Sequence, residues 1–414
     1  MTAEDLVAAA ERRLPDTLDL LERLVRENSF TTNAEGVRKN AEIVAAAFAP
    51  LGFEAEFVPA KDPAHGPHLI LRRGSEASSA PTVALISHLD TVFPAEEEVR
   101  NDFRWRREGD RITGPGTNDI KGGTALIYQL TGVLGEVDPT TWGGVNWVLL
   151  FNACEEVDSE DFGRLCHRVL PRETRACLIF EADGGDRSQP VIVASRKGRA
   201  TFRIEVSGIA AHAGGGHAFG ANAIVELGRL VEAVSAITDY DAGVTVNVGH
   251  IEGGTVTNRV PHAASARLEM RALDPESYEN AKQQILGFAG PGEVRTRDGN
   301  GYPCEVSISI GDEMAPWPRN DATAALIELW KRAGEELGVR VLEVDRGGLS
   351  DGNVLWESFP TLDGLGPNGD ACHCSERSPD GSKEQEWVDA ASFVPKTVLN
   401  ALAIRRLLVP KDAD

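Results

Sequence analysis

Pro81-Thr82-Val83-Ala84-Leu85-Ile86-Ser87-His88-Leu89-Asp90 and, after a loop, Gly114-Pro115-Gly116-Thr117-Asn118-Asp119-Ile120-Lys121-Gly122-Gly123 decide the fold. The first run reads as a buried strand, because Thr82–Ile86 is apolar and β-branched with no polar break. It ends on an imidazole and a carboxylate. His88 and Asp90 are two residues apart, so on an extended chain they point to one side, and Asp90 is placed to orient the ring. The second run is a Gly-rich turn presenting Asp119, where the backbone turns tightly and can approach an ion. Nitrogen and carboxylate donors of this kind suit zinc or a similar divalent ion. Taken alone, His88 is a stray ring in an ordinary strand-to-helix connection; the downstream acids change that reading.

Two further buried strands end in the same manner. Val148–Phe151 leads to Asn152-Ala153-Cys154-Glu155-Glu156, and Cys177–Phe180 leads to Glu181-Ala182-Asp183. Adjacent carboxylates diverge, so one of Glu155 and Glu156 can bind metal while the other faces substrate as a general base. Open α/β sheets place their sites at this carboxyl edge. Gly369-Asp370-Ala371-Cys372-His373-Cys374 adds another imidazole in a Gly-rich loop.

Helical periodicity is expected over Ala3–Val25, from Thr32 or Glu35 to Leu51, and over Gly122–Leu134, Phe162–Leu170, Ala322–Leu337 and Trp387–Leu408. Strands are expected at Glu54–Val58, Leu69–Arg72 and Val341–Val344. This alternation gives an α/β fold with a mixed, largely parallel sheet flanked by helices. After Ser195 the pattern becomes β-α-β-β-α-β: Arg199–Val206, Ala221–Val234, Thr245–Ile251, Ala263–Met270, Pro275–Phe288 and Cys304–Ile310. That order is the ferredoxin-like plan. The expected organisation is therefore a metal-binding domain in two parts, 1–196 and 313–414, with an inserted α+β lid at 197–312.

With 414 residues the chain exceeds one compact core, and 42% hydrophobic residues suffice for a large one. The formal charge of −22 disfavours nucleic acid and anionic membranes as partners. No signal peptide is visible and no apolar run approaches a membrane span, so no membrane association is expected. Six cysteines without a disulfide framework fit a reducing cytoplasm.

The ordered set His88-x-Asp90, Asp119 before Lys121-Gly122-Gly123, Glu155-Glu156, Glu181 and His373 resembles the dinuclear zinc metallopeptidase family of glutamate carboxypeptidase, acetylornithine deacetylase, succinyl-diaminopimelate desuccinylase and aminoacylase-1. The resemblance runs from about Leu18 to Leu408 and looks nearest to the glutamate carboxypeptidase branch. It implies two divalent metal ions per subunit, zinc first, with cobalt or manganese as options. Asp119 would bridge them, with His88 and Glu181 completing one site and Glu156 and His373 the other. Glu155 would be the catalytic base, with Asp90 also in the catalytic set as the residue that orients His88. Cys154 replaces the family's usual Asp before the acid pair, and Cys372 and Cys374 flank the last His, where a thiolate would compete as a ligand.

The same resemblance makes the lid a dimerisation domain. In its loop Ser207-Gly208-Ile209-Ala210-Ala211-His212-Ala213-Gly214, His212 would reach the opposite protomer's site and hold an oxyanion. Asn258 and Arg271 would hold the substrate, the Arg fork matching a carboxylate. Gly348, in Gly347-Gly348-Leu349-Ser350-Asp351-Gly352-Asn353, would offer backbone donors to an anionic group. The expected activity is hydrolysis of an amide next to a free carboxylate, in a peptide or N-acyl amino acid, by a homodimer. N-acyl amino acid deacylation and dipeptide cleavage are the alternatives within the family, and a non-catalytic binding relative is the alternative outside it.

Overall fold

The computed structural model describes residues 2–75, 79–157, 159–185 and 189–408. From the N-terminus come α1 (Ala3–Arg26), α2 (Ala34–Phe48), β1 (Glu54–Val58), β2 (His68–Arg73), β3 (Thr82–His88), α3 (Ala95–Arg100), β4 (Arg106–Glu108) and β5 (Arg111–Thr113). Next are α4 (Lys121–Val137), α5 (Pro139–Gly143), β6 (Asn146–Asn152), α6 (Glu160–Val169), β7 (Ala176–Ile179) and β8 (Val191–Arg196). The following elements are β9 (Gly198–Ser207), α7 (Ala223–Ser235), β10 (Thr245–Gly253), β11 (Ala263–Ala272), α8 (Pro275–Leu286), β12 (Gly290–Arg295) and β13 (Pro303–Met314). The chain closes with α9 (Asp321–Glu336), β14 (Leu342–Arg346), β15 (Thr361–Leu362), β16 (Gly369–Asp370), β17 (Trp387–Asp389) and α10 (Phe393–Leu408). It divides into two compact units: 1–194 with 319–345 and 350–414, and 195–318 with 346–349.

In the first unit a six-stranded sheet runs β1-β2-β6-β3-β7-β15. The pairs β6/β3, β3/β7 and β7/β15 are parallel, while β1 and β2 join antiparallel. Every residue of β3 is buried because both faces are covered. Val83 and Leu85 join the core under α1, α4 and α10, while Ala84 and Ile86 face the smaller core that includes Phe162 and Leu165 of α6. This matches the α/β expectation. One element differs: Trp387–Asp389 is not helical but pairs with β5, and α10 starts only at Phe393. Asp389 explains the late start, since its side chain accepts the Ala391 N–H and caps the short turn leading into the helix.

The second unit has a five-stranded antiparallel sheet, β10-β11-β9-β13-β12, carrying α7 and α8. Its core comprises alternate residues of β9 (Ala200, Phe202, Ile204, Val206) packed on Leu227, Leu230 and Ile285 of those helices. The β-α-β-β-α-β order is present, with β12 as an added edge strand. Residues 346–349 also belong here, because Arg196 and Arg271 hold the carbonyls of Gly347, Gly348 and Leu349. No helix among the described residues is long and apolar enough to cross a membrane.

Candidate metal centre

The three acid- and His-bearing strand ends lie side by side, because β6, β3 and β7 are consecutive parallel neighbours. Their carboxyl ends reach the same edge, with His88 opposite Asn152. Each strand therefore delivers its polar residues to a single place.

Asp119 stands at the centre. Its Oδ1 lies 3.1 Å from His88 Nε2, and its Oδ2 lies 3.2 Å from His373 Nε2. Glu181 Oε1 is 3.7 Å from His88 Nε2, and Glu156 Oε2 is 3.3 Å from His373 Nε2. Two triads result, His88–Asp119–Glu181 and Asp119–Glu156–His373, each with its ligand atoms within 4.8 Å of one another. Neither Cys372 nor Cys374 joins a triad; all six cysteines are free thiols.

The electrostatics favour cations here. Burial, then the charges of Glu181, Asp351 and Glu156, push Glu155 well above the usual carboxyl range, against the pull of His88. Glu156 is pushed up to about 7 by burial and by Asp119. His373 is raised to about 11 by its hydrogen bonds to Asp119 and Glu156. Burial works to raise Asp119, yet His373 and His88 hold it well below the usual range. Glu156 Oε1 is buried with no partner. Crowded acids that must borrow protons, beside an orphaned carboxylate oxygen, are a donor set that fits divalent ions.

Asp90 meets the His88 ring with both its main chain and its carboxylate. His88 Nδ1 is 3.0 Å from the main-chain carbonyl of Asp90, and 3.4 Å from its carboxylate. The carboxylate also accepts the N–H groups of Glu155 (3.0 Å) and Glu156 (3.3 Å) and the hydroxyl of Thr31 (2.7 Å). With Nδ1–H facing a carbonyl, Nε2 is the ring atom turned towards Asp119 and Glu181.

The remaining candidates lie in the second unit, in two separate groups. His212 and Asn258 share one loop cluster: Ala213 N–H donates to the Asn258 carbonyl at 3.0 Å. His212 Nδ1 accepts the N–H groups of Gly214 (3.1 Å) and Gly215 (3.0 Å), so a neutral ring carries its proton on Nε2. Arg271 lies at the other end of β11, where Nε and Nη2 fork onto Glu269 and Nη1 donates to the Gly347 carbonyl at 2.9 Å. Gly348 is exposed, and its carbonyl accepts from Arg196 at 3.2 Å. Both loops of the first group leave the sheet near Ala263, eight residues from Arg271 along β11. At about 3.4 Å per residue, that spacing is about 27 Å.

Sequence reasoning missed three buried residues at the first unit's site. Asp351 accepts the Asn152 amide at 2.8 Å and is raised to about 7 by burial. Asp183 pairs with Lys396 at 3.1 Å two residues after Glu181. Glu386 accepts the N–H groups of Asn118 and Asp119. Asp351 was visible within its Gly-rich loop and Asp183 directly after Glu181, neither with a role of its own; Glu386 had no local signal.

Comparison with known proteins fits this centre. Residues 194–294 match the peptidase dimerisation domain. Carboxypeptidase G2 of Pseudomonas sp. (strain RS-16) is 25% identical over 97% of this chain and 92% of its own. Succinyl-diaminopimelate desuccinylase of Bordetella petrii is 24% identical over 87% and 90%. The Bacillus subtilis YXEP protein, a dinuclear metal binding peptidase from the M20 family, superposes with a TM-score of 0.69 at 15% identity, over 96% of this chain and 99% of that one. The chain is thus similar to M20 peptidases over nearly its whole length, and that similarity supports a hydrolytic metalloenzyme.

Proposed function

We propose that the protein is a carboxypeptidase of the glutamate carboxypeptidase type, hydrolysing an amide bond beside a free carboxylate with two divalent ions, zinc first. The observation that carries this reading is the sharing of Asp119 between two triads, with Glu155 among the same acids. His88, Asp119 and Glu181 would hold one ion, and Asp119, Glu156 and His373 the other. When bound, the ions supply Lewis acidity to the scissile carbonyl and lower the pKa of the attacking water towards ~7.

The chain's own residues do the rest. Glu155 takes the proton of the attacking water and returns it to the leaving amine nitrogen. Asp90 holds that base in place through the main chain of Glu155 and Glu156. His212 donates its Nε2–H to the carbonyl oxygen as negative charge develops there, a role its glycine-held tautomer suits. Arg271, oriented by Glu269, offers its remaining N–H groups to the substrate carboxylate, beside Gly348; Asn258 holds the substrate from the His212 cluster. The working form is a homodimer through the matched dimerisation domain. Six free thiols suit a cytoplasmic setting.

The test is a substrate panel on the metal-loaded protein: α- and γ-glutamyl peptides, N-acyl glutamates, other N-acyl amino acids, and each compound with its carboxylate amidated. Cleavage should require the free carboxylate and favour an acidic terminal residue. Equal turnover of the amidated compounds would overturn the carboxypeptidase reading. Turnover confined to N-acyl amino acids would assign the deacylase branch instead.

A further inference from the structure

Glu386 sits just ahead of β17 with no exposed surface. Its Oε1 accepts the N–H of Asn118 at 2.9 Å and of Asp119 at 3.2 Å. Its main chain continues the tie. The Glu386 N–H donates to the carbonyl of Cys374, one residue beyond His373, at 2.8 Å, and its carbonyl accepts the Gly114 N–H at 3.3 Å. One residue thus fastens both ends of the Gly-rich turn that presents Asp119, and the loop that presents His373.

Both loops need such fastening. His373 itself has φ 65° and Ala371 has φ 59°, left-handed values that side chains other than glycine adopt only when their surroundings compel them. The joint is also closely packed: a Cβ at Gly369 would lie 2.3 Å from both Asn118 Oδ1 and the Trp387 carbonyl. By contrast, His88 is carried by β3 and Glu181 follows β7, inside the main sheet.

We propose that Glu386 is a positioning residue that holds Asp119 and His373 in register, so that the Asp119–Glu156–His373 triad closes around its ion. This rests on the two-ion reading above. A carboxylate accepting two main-chain N–H groups is a strong, directional anchor, and its reach rather than its charge is what the role requires. The bland alternative is a buried acid that merely satisfies two N–H groups for the sake of the fold.

Two variants separate these. Glu386→Gln keeps an acceptor oxygen at the same reach with an amide in place of the carboxyl group. Glu386→Asp keeps the carboxyl group and withdraws the oxygen by one methylene. Cobalt(II) is titrated into each metal-stripped protein, followed by calorimetry and by visible absorption, with melting measured in parallel. Wild type should take up two ions. Glu386→Asp should weaken one of the two ions by about 10–100-fold and change its absorption band, while Glu386→Gln stays close to wild type. Retention of both ions by the Asp variant, an equal loss in the Gln variant, or a lowered melting point with both affinities intact would each overturn the proposal. A wild-type protein that takes up fewer than two ions overturns the two-ion reading itself, a result distinct from any of these.

Discussion

Because Asp119 turns one oxygen to His88 and the other to His373, a single truncation reaches both triads. Asp119→Ala should lose both ions together; elemental analysis that still finds two metals per chain would refute the bridge. Glu155 is a different case. It belongs to neither triad, so Glu155→Gln should leave the metal content at its wild-type value. Turnover should nonetheless fall ~10²-fold or more, the scale of a lost general base. Full activity in a metal-replete Glu155→Gln protein would remove that residue from the mechanism. Glu269 can be tested in the same way. If it orients the Arg271 fork, Glu269→Ala should raise KM for a carboxylate-bearing substrate with a smaller effect on kcat, since the lost contact serves binding. A fall in kcat alone would contradict that role.

At the level of elements, α10 is fastened to the site by a fully enclosed ion pair. Lys396 Nζ reaches Asp183 Oδ2 at 3.1 Å and the Gly364 carbonyl at 3.1 Å, with Lys396 only 2% exposed and Asp183 0%. Removing one partner leaves a buried charge behind, so Lys396→Met should cost about 3–5 kcal/mol in urea unfolding. An unchanged midpoint would show that the pair is dispensable. Elements like this mark where the sequence was legible and where it was not. Strands β3, β6 and β7 announce themselves as apolar runs ending in His or Glu, and their adjacency follows from the βα pattern. The strands β4, β5 and β17 are three residues each and carry Arg, Glu and Asp, so no apolar run betrays them. Trp387-Val388-Asp389 therefore read as the start of a helix. Glu386 is locally no different from Glu384. Its meaning lies in Asn118, 268 residues away in the chain, and only the folded sheet brings the two together.

For the whole molecule, the lid sheet poses a problem of reach. His212 and Asn258 belong to loops at one end of β11, while Arg271 is at the other, about 27 Å along the strand. A dipeptide spans no more than about 7 Å when extended. If Arg271 grips the carboxylate of a substrate and His212 steadies the carbonyl of that same substrate, one copy of the lid cannot supply both. Two copies related by a two-fold axis can, because the axis brings the opposite end of the partner's sheet into play. We therefore expect a dimer in which His212 acts at the other subunit's site, consistent with the match of residues 194–294 to a peptidase dimerisation domain. Glu155→Gln and His212→Ala proteins should each be inactive as pure dimers. After subunit exchange, a mixed dimer holds one site with Glu155 and His212 both intact, and should recover up to about half of a wild-type dimer's activity, since one of its two sites is whole. Sedimentation that finds only monomer, or a mixture that stays inactive after exchange is demonstrated, would end the trans arrangement. Activity in the pure His212→Ala protein would instead remove His212 from the chemistry altogether.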